Sequence, residues 1–197
     1  MGGQIFAFLL QTAFGLFIYL ALMRFYMQAF RAPFRNPVGQ FVMALTDWAV
    51  MPLRKLLPSV AGYDVASLLL AWVAEVVLLV LLYAVVLQVG AANLPAMVLF
   101  QSLIELARAS LQLLMFVVIV QAVLSWVSPH HPLMPVFDAI SRPFCNIFRR
   151  FIPPLGNVDL SPLLVIVLAQ VLLIVLDNVP RALLLGSGPR AMLLGIG

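Results

Sequence analysis

The sequence predicts an all-α membrane protein with four transmembrane helices in two parallel tandem repeats, each repeat with an interfacial amphipathic helix between its spans. Three observations carry this. Of the 197 residues, 64% are hydrophobic and only 9% are charged, whereas a soluble domain is about 25% charged. A chain of this length has too little interior to hide that apolar surface from water, and a bilayer holds it without penalty. Four runs reach the roughly 20 apolar residues needed to cross the hydrocarbon core. Polar residues and prolines then recur at one fixed offset along the chain.

The first run is about 5–23 and ends at Arg24. It lacks the basic leader and small-residue cleavage site of a signal peptide, so it reads as a retained span. The second is about 66–89, interrupted by Glu75 and Gln88. The third lies within Ala96–Val127 and is longer than a bilayer needs, so the span is set at about 105–127. The turns carrying Glu105 and Arg108 then project into the interface as an i, i+3 pair. The fourth is about 162–179, with Asp177 and Arg181 as an i, i+4 pair at its end.

Basic residues set the orientation. Arg24, Arg31, Arg35, Arg54 and Lys55 follow the first span, and Arg142, Arg149 and Arg150 follow the third. The link between spans two and three has none, and the C-terminal tail has Arg181 and Arg190. The positive-inside rule places both basic segments in the cytoplasm and both termini outside. The net charge of +4 is thereby read as membrane topology, not as a nucleic-acid surface, which needs a basic patch clear of the bilayer.

At an offset of 95 residues Pro37 falls on Pro132, Arg54-Lys55 on Arg149-Arg150, Pro58 on Pro153 and Asp64 on Asp159. Thr46 falls on Ser141, and Glu75 on Gln170. Apolar matches carry little in so apolar a chain; these polar ones define a repeat. The units are 1–90 and 96–185, with a short tail at 186–197. Each holds two spans, so they share one topology and are related by a pseudo-two-fold axis along the membrane normal.

Between the spans of each unit the apolar period becomes helical. Residues 133–151 place Leu133, Val136, Phe137, Ile140, Phe144, Ile147, Phe148 and Phe151 on one stripe. Asp138, Ser141, Arg142, Cys145, Asn146, Arg149 and Arg150 lie opposite. Residues 38–57 carry a similar stripe of Val38, Phe41, Val42, Leu45, Ala49, Leu53 and Leu56. Both read as amphipathic helices lying flat in the interface, each kinked or restarted by a proline, Pro52 or Pro143. Arg54, Lys55, Arg142, Arg149 and Arg150 are the candidate lipid or partner contacts. After each helix come a proline-containing turn and an acid: Pro58 and Asp64, then Pro153, Asp159, Ser161 and Pro162. Ser161 suits an N-cap, Pro162 a first helical position, and the aspartate the positive helix end. An Asp–Arg pair tying the amphipathic helix to the following span is the second reading of the same residues.

With Leu124-Ser125-Trp126, Pro132, Ser141-Arg142-Pro143, Arg149-Arg150, Pro153 and Asp159-Leu160-Ser161-Pro162, the chain resembles the YggT family, which includes YlmG-type proteins. Unit one keeps Pro52, Arg54-Lys55, Pro58 and Asp64, with Ala66-Ser67 where the family often has Ser-Pro. The resemblance implies a small multi-pass protein of the bacterial inner membrane. It implies links to osmotic or ionic stress tolerance, to cell division or nucleoid organisation and, in plastids, to cytochrome b6f assembly.

Few residues of the chain carry chemistry. Glu75 sits near mid-bilayer, where an acid is costly: either it is protonated and hydrogen-bonds Gln170 or another polar group between helices, or it serves a cation or proton site on the pseudo-two-fold axis. His130 and His131 are adjacent and do not converge on a metal; no metal, cofactor or catalytic residue is assigned, and no enzyme is expected. The expected partners are membrane lipids, further copies of the chain and a membrane or cytoplasmic protein. Two functions remain open: a membrane scaffold or assembly factor, and an ion-handling channel or transporter active as an oligomer.

Overall fold

A computed structural model describes residues 2–57, 62–86, 94–150 and 159–186. Pro58, Pro153, the link between spans two and three from residue 87 to 93, and the tail from 187 on lie outside the described residues. The described chain forms α1 (Gly2–Ala29), α2 (Pro37–Leu56), α3 (Val65–Leu81, continued by a π-helical turn Leu82–Val86), α4 (Leu94–Val127), α5 (Met134–Arg149) and α6 (Ser161–Gly186). Four helices are long and apolar enough to cross a membrane: Gly3–Ala29, Val65–Ala84, Val98–Val127 and Ser161–Val179. In hydrocarbon every backbone group must be bonded within the segment, which leaves the helix as the form for such runs.

The first helix does not stop at Arg24; it continues to Ala29. The reason is tertiary. The Arg24 guanidinium bonds to groups on α2, so its charge needs no headgroup or water at that point. The third helix likewise runs as one 34-residue piece from Leu94.

The start of α2 is built by Asn36, an extended residue whose side-chain oxygen accepts the Gly39 amide at 2.9 Å, with Pro37 in the first helical position. Gly39 is obligatory there, since a Cβ would lie 2.4 Å from the Phe34 carbonyl oxygen. Asp64 caps α3, its side chain accepting the Ser67 amide. Neither Pro52 nor Pro143 restarts its helix; α2 and α5 each run through the proline, which is exposed in both.

The buried faces of α2 and α5 differ from the stripes drawn on sequence. In α2, Gly39, Val42, Thr46, Ala49 and Val50 are buried, whereas Phe41, Leu45 and Leu56 point outward. In α5, Ser141 and Cys145 are buried with Val136, Phe137 and Ile140, and Ile147 is exposed. Cys145 packs as a small hydrophobe between Val118 of α4 and Val165 of α6.

The spans pair within units, α1 on α3 and α4 on α6, and the units meet where α4 packs on α3 and α1. Ala21, Ala71 and Ala74 are buried in the α1–α3 contact, where small side chains let helix backbones approach closely. The main core joins Ile18, Leu22 and Met27 of α1 to Leu113 and Val117 of α4 and to Val136 and Ile140 of α5.

Candidate functional site

The polar groups concentrate at the ends of α2 and α5, beside the starts of α3 and α6. In unit one Asp64, 1% exposed, is the hub. It accepts hydrogen bonds from Arg54 Nε at 3.2 Å and from Arg54 Nη2. It also accepts the Ser67 hydroxyl at 2.5 Å and the Ser67 amide at 3.4 Å. Arg54 reaches on to Gln28 Oε1 of α1 at 2.8 Å. A second guanidinium approaches from α1: Arg24, 3% exposed, lies 3.7 Å from Asp64 Oδ2 through Nε. Its Nη1 donates to Thr46 Oγ1 at 2.7 Å and Asp47 Oδ1 at 2.6 Å. Two cations and two carboxylates thus lock α1, α2 and α3 together.

Unit two repeats the central pair. Asp159 Oδ2 accepts from Arg149 Nε at 2.9 Å and Nη2 at 2.6 Å, and Oδ1 accepts the Ser161 amide at 2.9 Å. The tie between middle helix and following span therefore forms in both units, at the same spacing. Asp159, rather than Ser161, receives the first helix amide; Ser161 itself opens α6 and Pro162 follows it. Burial alone would raise the Asp64 carboxyl; hydrogen bonds from Arg54 and Ser67 and the Arg54 charge outweigh it and hold its pKa below the ordinary value. Asp159 is likewise lowered, its burial offset by hydrogen bonds from Ser161 and Arg149 and by the Arg149 charge.

These pairs redistribute the candidate contact residues. Arg54 and Arg149 are committed to aspartates, and Arg142 bonds Asp138 one turn back on α5. Lys55 and Arg150 remain exposed, as do Arg31 and Arg35. Cys145 is buried, and burial pushes its thiol up from 9.0 to about 11, with the Arg149 charge pulling down and Asp159 and Asp138 pushing further up. Two units correspond to about 100-fold less thiolate. At neutral pH a maleimide should therefore label Cys145 at least about 100-fold more slowly than a free thiol. Time-course labelling with and without SDS checks this; fast labelling of the folded protein would contradict the burial.

The intramembrane polar residues do not pair as drawn on sequence. Glu75 is buried, but Gln170 is exposed on α6, and among the described residues no hydrogen bond joins them. Arg108 bonds Glu105 at 2.5 Å, as its spacing implies, and also bridges to Asp177 of α6 at 2.7 Å. Asp177 is therefore a link between helices; the Arg181 side chain, its expected partner, lies outside the described residues. Of the two histidines, His131 Nδ1 accepts the Leu133 amide at 3.3 Å. Among the described residues no group of three His, Cys, Asp or Glu side chains could hold a metal.

In the sequence Arg24 marks a span's end, and its partners Thr46 and Asp47, the Gln28 acceptor of Arg54 and the Asn36 cap are not singled out. The available signal was local for Asn36, an Asx residue before proline. For Arg24 it was only that the charge sits within an uninterrupted helical period.

Comparison with known proteins agrees with the architecture. The CCB3/YggT family profile matches the chain twice, over residues 3–85 and 100–179, one match per unit. An uncharacterized protein in the proC 3′ region of Vibrio alginolyticus is 38% identical over 162 residues, 82% of this chain and 87% of its own. The uncharacterized protein YggT of Escherichia coli K12 is 33% identical over 166 residues, covering 84% and 85%. A chloroplastic YlmG homolog protein 2 of Arabidopsis thaliana is 43% identical over 49 residues, 24% of this chain and 20% of its own. No solved structure matches significantly. With two profile matches that together span most of its length, the chain belongs to the CCB3/YggT family.

Proposed function

We propose that the protein is a membrane scaffold or assembly factor of the bacterial inner membrane, serving cell-envelope, division or osmotic-stress physiology. The observation that carries this is the pinning of both middle helices. Each is tied to the next span by an Arg–Asp pair, which fixes it as a platform. Their outer faces leave Phe41, Leu45, Trp48, Leu56 and Ile147 exposed, beside the exposed Lys55 and Arg150. An apolar face bearing a tryptophan and flanked by basic residues suits the boundary between acyl chains and anionic headgroups. The positive-inside rule puts this surface in the cytoplasm and the termini outside. The ion-handling alternative needs a polar lining at an oligomer axis, and of the two intramembrane polar residues it rests on, Glu75 is buried within the chain.

The test is lipid retention in nanodiscs of mixed anionic and zwitterionic lipid. Lys55→Ala/Arg150→Ala should weaken anionic-lipid retention by about fivefold per residue, at about 1 kcal/mol per basic side chain near the surface. The spans should still insert. A photo-crosslinker at Trp48 should then capture lipid or a specific membrane protein. Unchanged lipid retention together with no crosslinked species would sink the scaffold reading, and cation flux from liposomes would replace it.

A further inference from the structure

The two units surround the repeated aspartate differently, and the difference is where the second guanidinium sits: buried in unit one, on the exposed side in unit two. In unit one Asp64 and Asp47 are met by two guanidiniums, Arg54 and the buried Arg24. In unit two a cavity of about 270 Å³ lies between α4, α5 and α6, and its walls include Gln121, Ser125, Asp138, Arg149 and Asp159. Two carboxylates face it and one guanidinium lines it. Arg142 bonds Asp138 but is 61% exposed and lines the outer groove beside Arg31 and His130 instead.

No second arginine comes from α4. Ile119, which falls on Arg24 at the repeat offset, is turned outward and is 45% exposed. The α4 face toward the cluster carries Gln121 and Ser125, an i, i+4 pair where α1 presents Arg24 and Gln28. Gln121 is 5% exposed, it lines the cavity, and its Oε1 is enclosed without a hydrogen-bond partner among the described residues. A buried acceptor left unsatisfied in this way is uncommon in a folded protein and signals a missing partner.

We propose that this cavity binds a small monovalent cation between Asp138 and Asp159, in the interior position that the Arg24 guanidinium occupies in unit one. The lining is oxygen-rich: two carboxylates, the Gln121 carbonyl and the Ser125 hydroxyl. Such ligands suit hard cations. A single charge fits because Arg149 in the wall opposes a second, and the volume leaves room for accompanying water. The site stands independently of the scaffold reading, and it holds a cation rather than passing one.

The experiment uses the full-length protein in nonionic detergent at fixed ionic strength. Its unfolding midpoint is measured in chloride salts of potassium, sodium and guanidinium, with the bulky N-methylglucamine as reference. The wild type should show a saturable rise of a few degrees in at least one small cation, as expected when a ligand binds only the folded state. Gln121→Leu should lose that rise. Gln121→Arg, which carries its own cation, should also lose it while unfolding at or above the wild-type midpoint in saturating cation. Should Gln121→Arg fail to fold, Gln121→Leu decides alone. A wild-type midpoint identical in all four salts would mean that water alone fills the cavity, and would overturn the proposal. So would a Gln121→Leu or Gln121→Arg protein that keeps the wild-type shift.

Discussion

Asp64→Ala should destabilise the protein by about 3–5 kcal/mol, whereas Asp159→Ala, its counterpart in the second unit, should cost about 1–2 kcal/mol. By sequence the two aspartates are equivalent: each follows an Arg by ten residues and precedes a span. The structure separates them. Asp64 is 1% exposed and faces Arg24, 3% exposed, so its loss leaves that buried guanidinium with Asp47 as its one carboxylate and its Nε unpaired. The Asp159 side chain is 27% exposed and its partner Arg149 is 34% exposed, so water can take over much of the lost interaction. Both changes also remove a helix cap, which is the part the two share. Unfolding in mixed micelles measures the difference, and equal losses would show that the burial of Arg24 contributes nothing. Arg24→Met added to Asp64→Ala should recover part of the loss, because it removes the half-paired buried guanidinium while the Asp47 left behind is 33% exposed and can be solvated.

The same pairs set an acid limit. Both carboxyls have folded-state pKa values below their ordinary value. Their contribution is therefore complete above the unfolded-state pKa of about 3.9 and is lost as the pH falls through the lower folded-state values. The stability difference between wild type and Asp64→Ala should stay constant from neutral pH down to about pH 5 and then shrink below about pH 4. A difference already shrinking between pH 7 and pH 6 would point to another titrating group.

Gly39→Ala should cost about 2–3 kcal/mol. The added carbon meets backbone, at 2.4 Å from the Phe34 carbonyl oxygen and 2.8 Å from its Cα. A side chain could rotate away, but here the loop or the start of α2 has to move. Either movement opens the Asn36 cap and shifts Val42 and Thr46 from their buried positions against α1. Gly15→Ala is the control: its new carbon meets nothing within 4 Å, and it should change stability by no more than about 0.5 kcal/mol. Similar unfolding midpoints for the two variants would refute the close approach of Phe34 to α2.

Much of the architecture was legible because it depends on composition and local spacing. Four apolar runs, a polar repeat at a fixed offset and an acid one turn before a span need no knowledge of what packs where. Helix ends were less legible at Arg24, since a charge closes a span only if nothing inside the protein receives it. Beyond the Arg–Asp ties, pairing between the long spans was not legible. Asp177 bonds Arg108 of α4, and the repeat partners Glu75 and Gln170 have opposite exposures.

The sequence by itself therefore determined the four spans, the duplication, and the Arg and Asp residues that join middle helix to following span. Only the tertiary structure decided which faces of those helices point inward. It turned Phe41, Leu45 and Ile147 out and took Ser141 and Cys145 in. It also buried Arg24 in one unit while leaving a polar cavity in the other. The physical reason is the solvent. In water an apolar stripe marks the buried face, because exposure is costly; in hydrocarbon the lipid-facing side is as apolar as the core. The hydrophobic period then stops distinguishing inside from outside, and the choice passes to the few polar contacts that only the folded arrangement brings together.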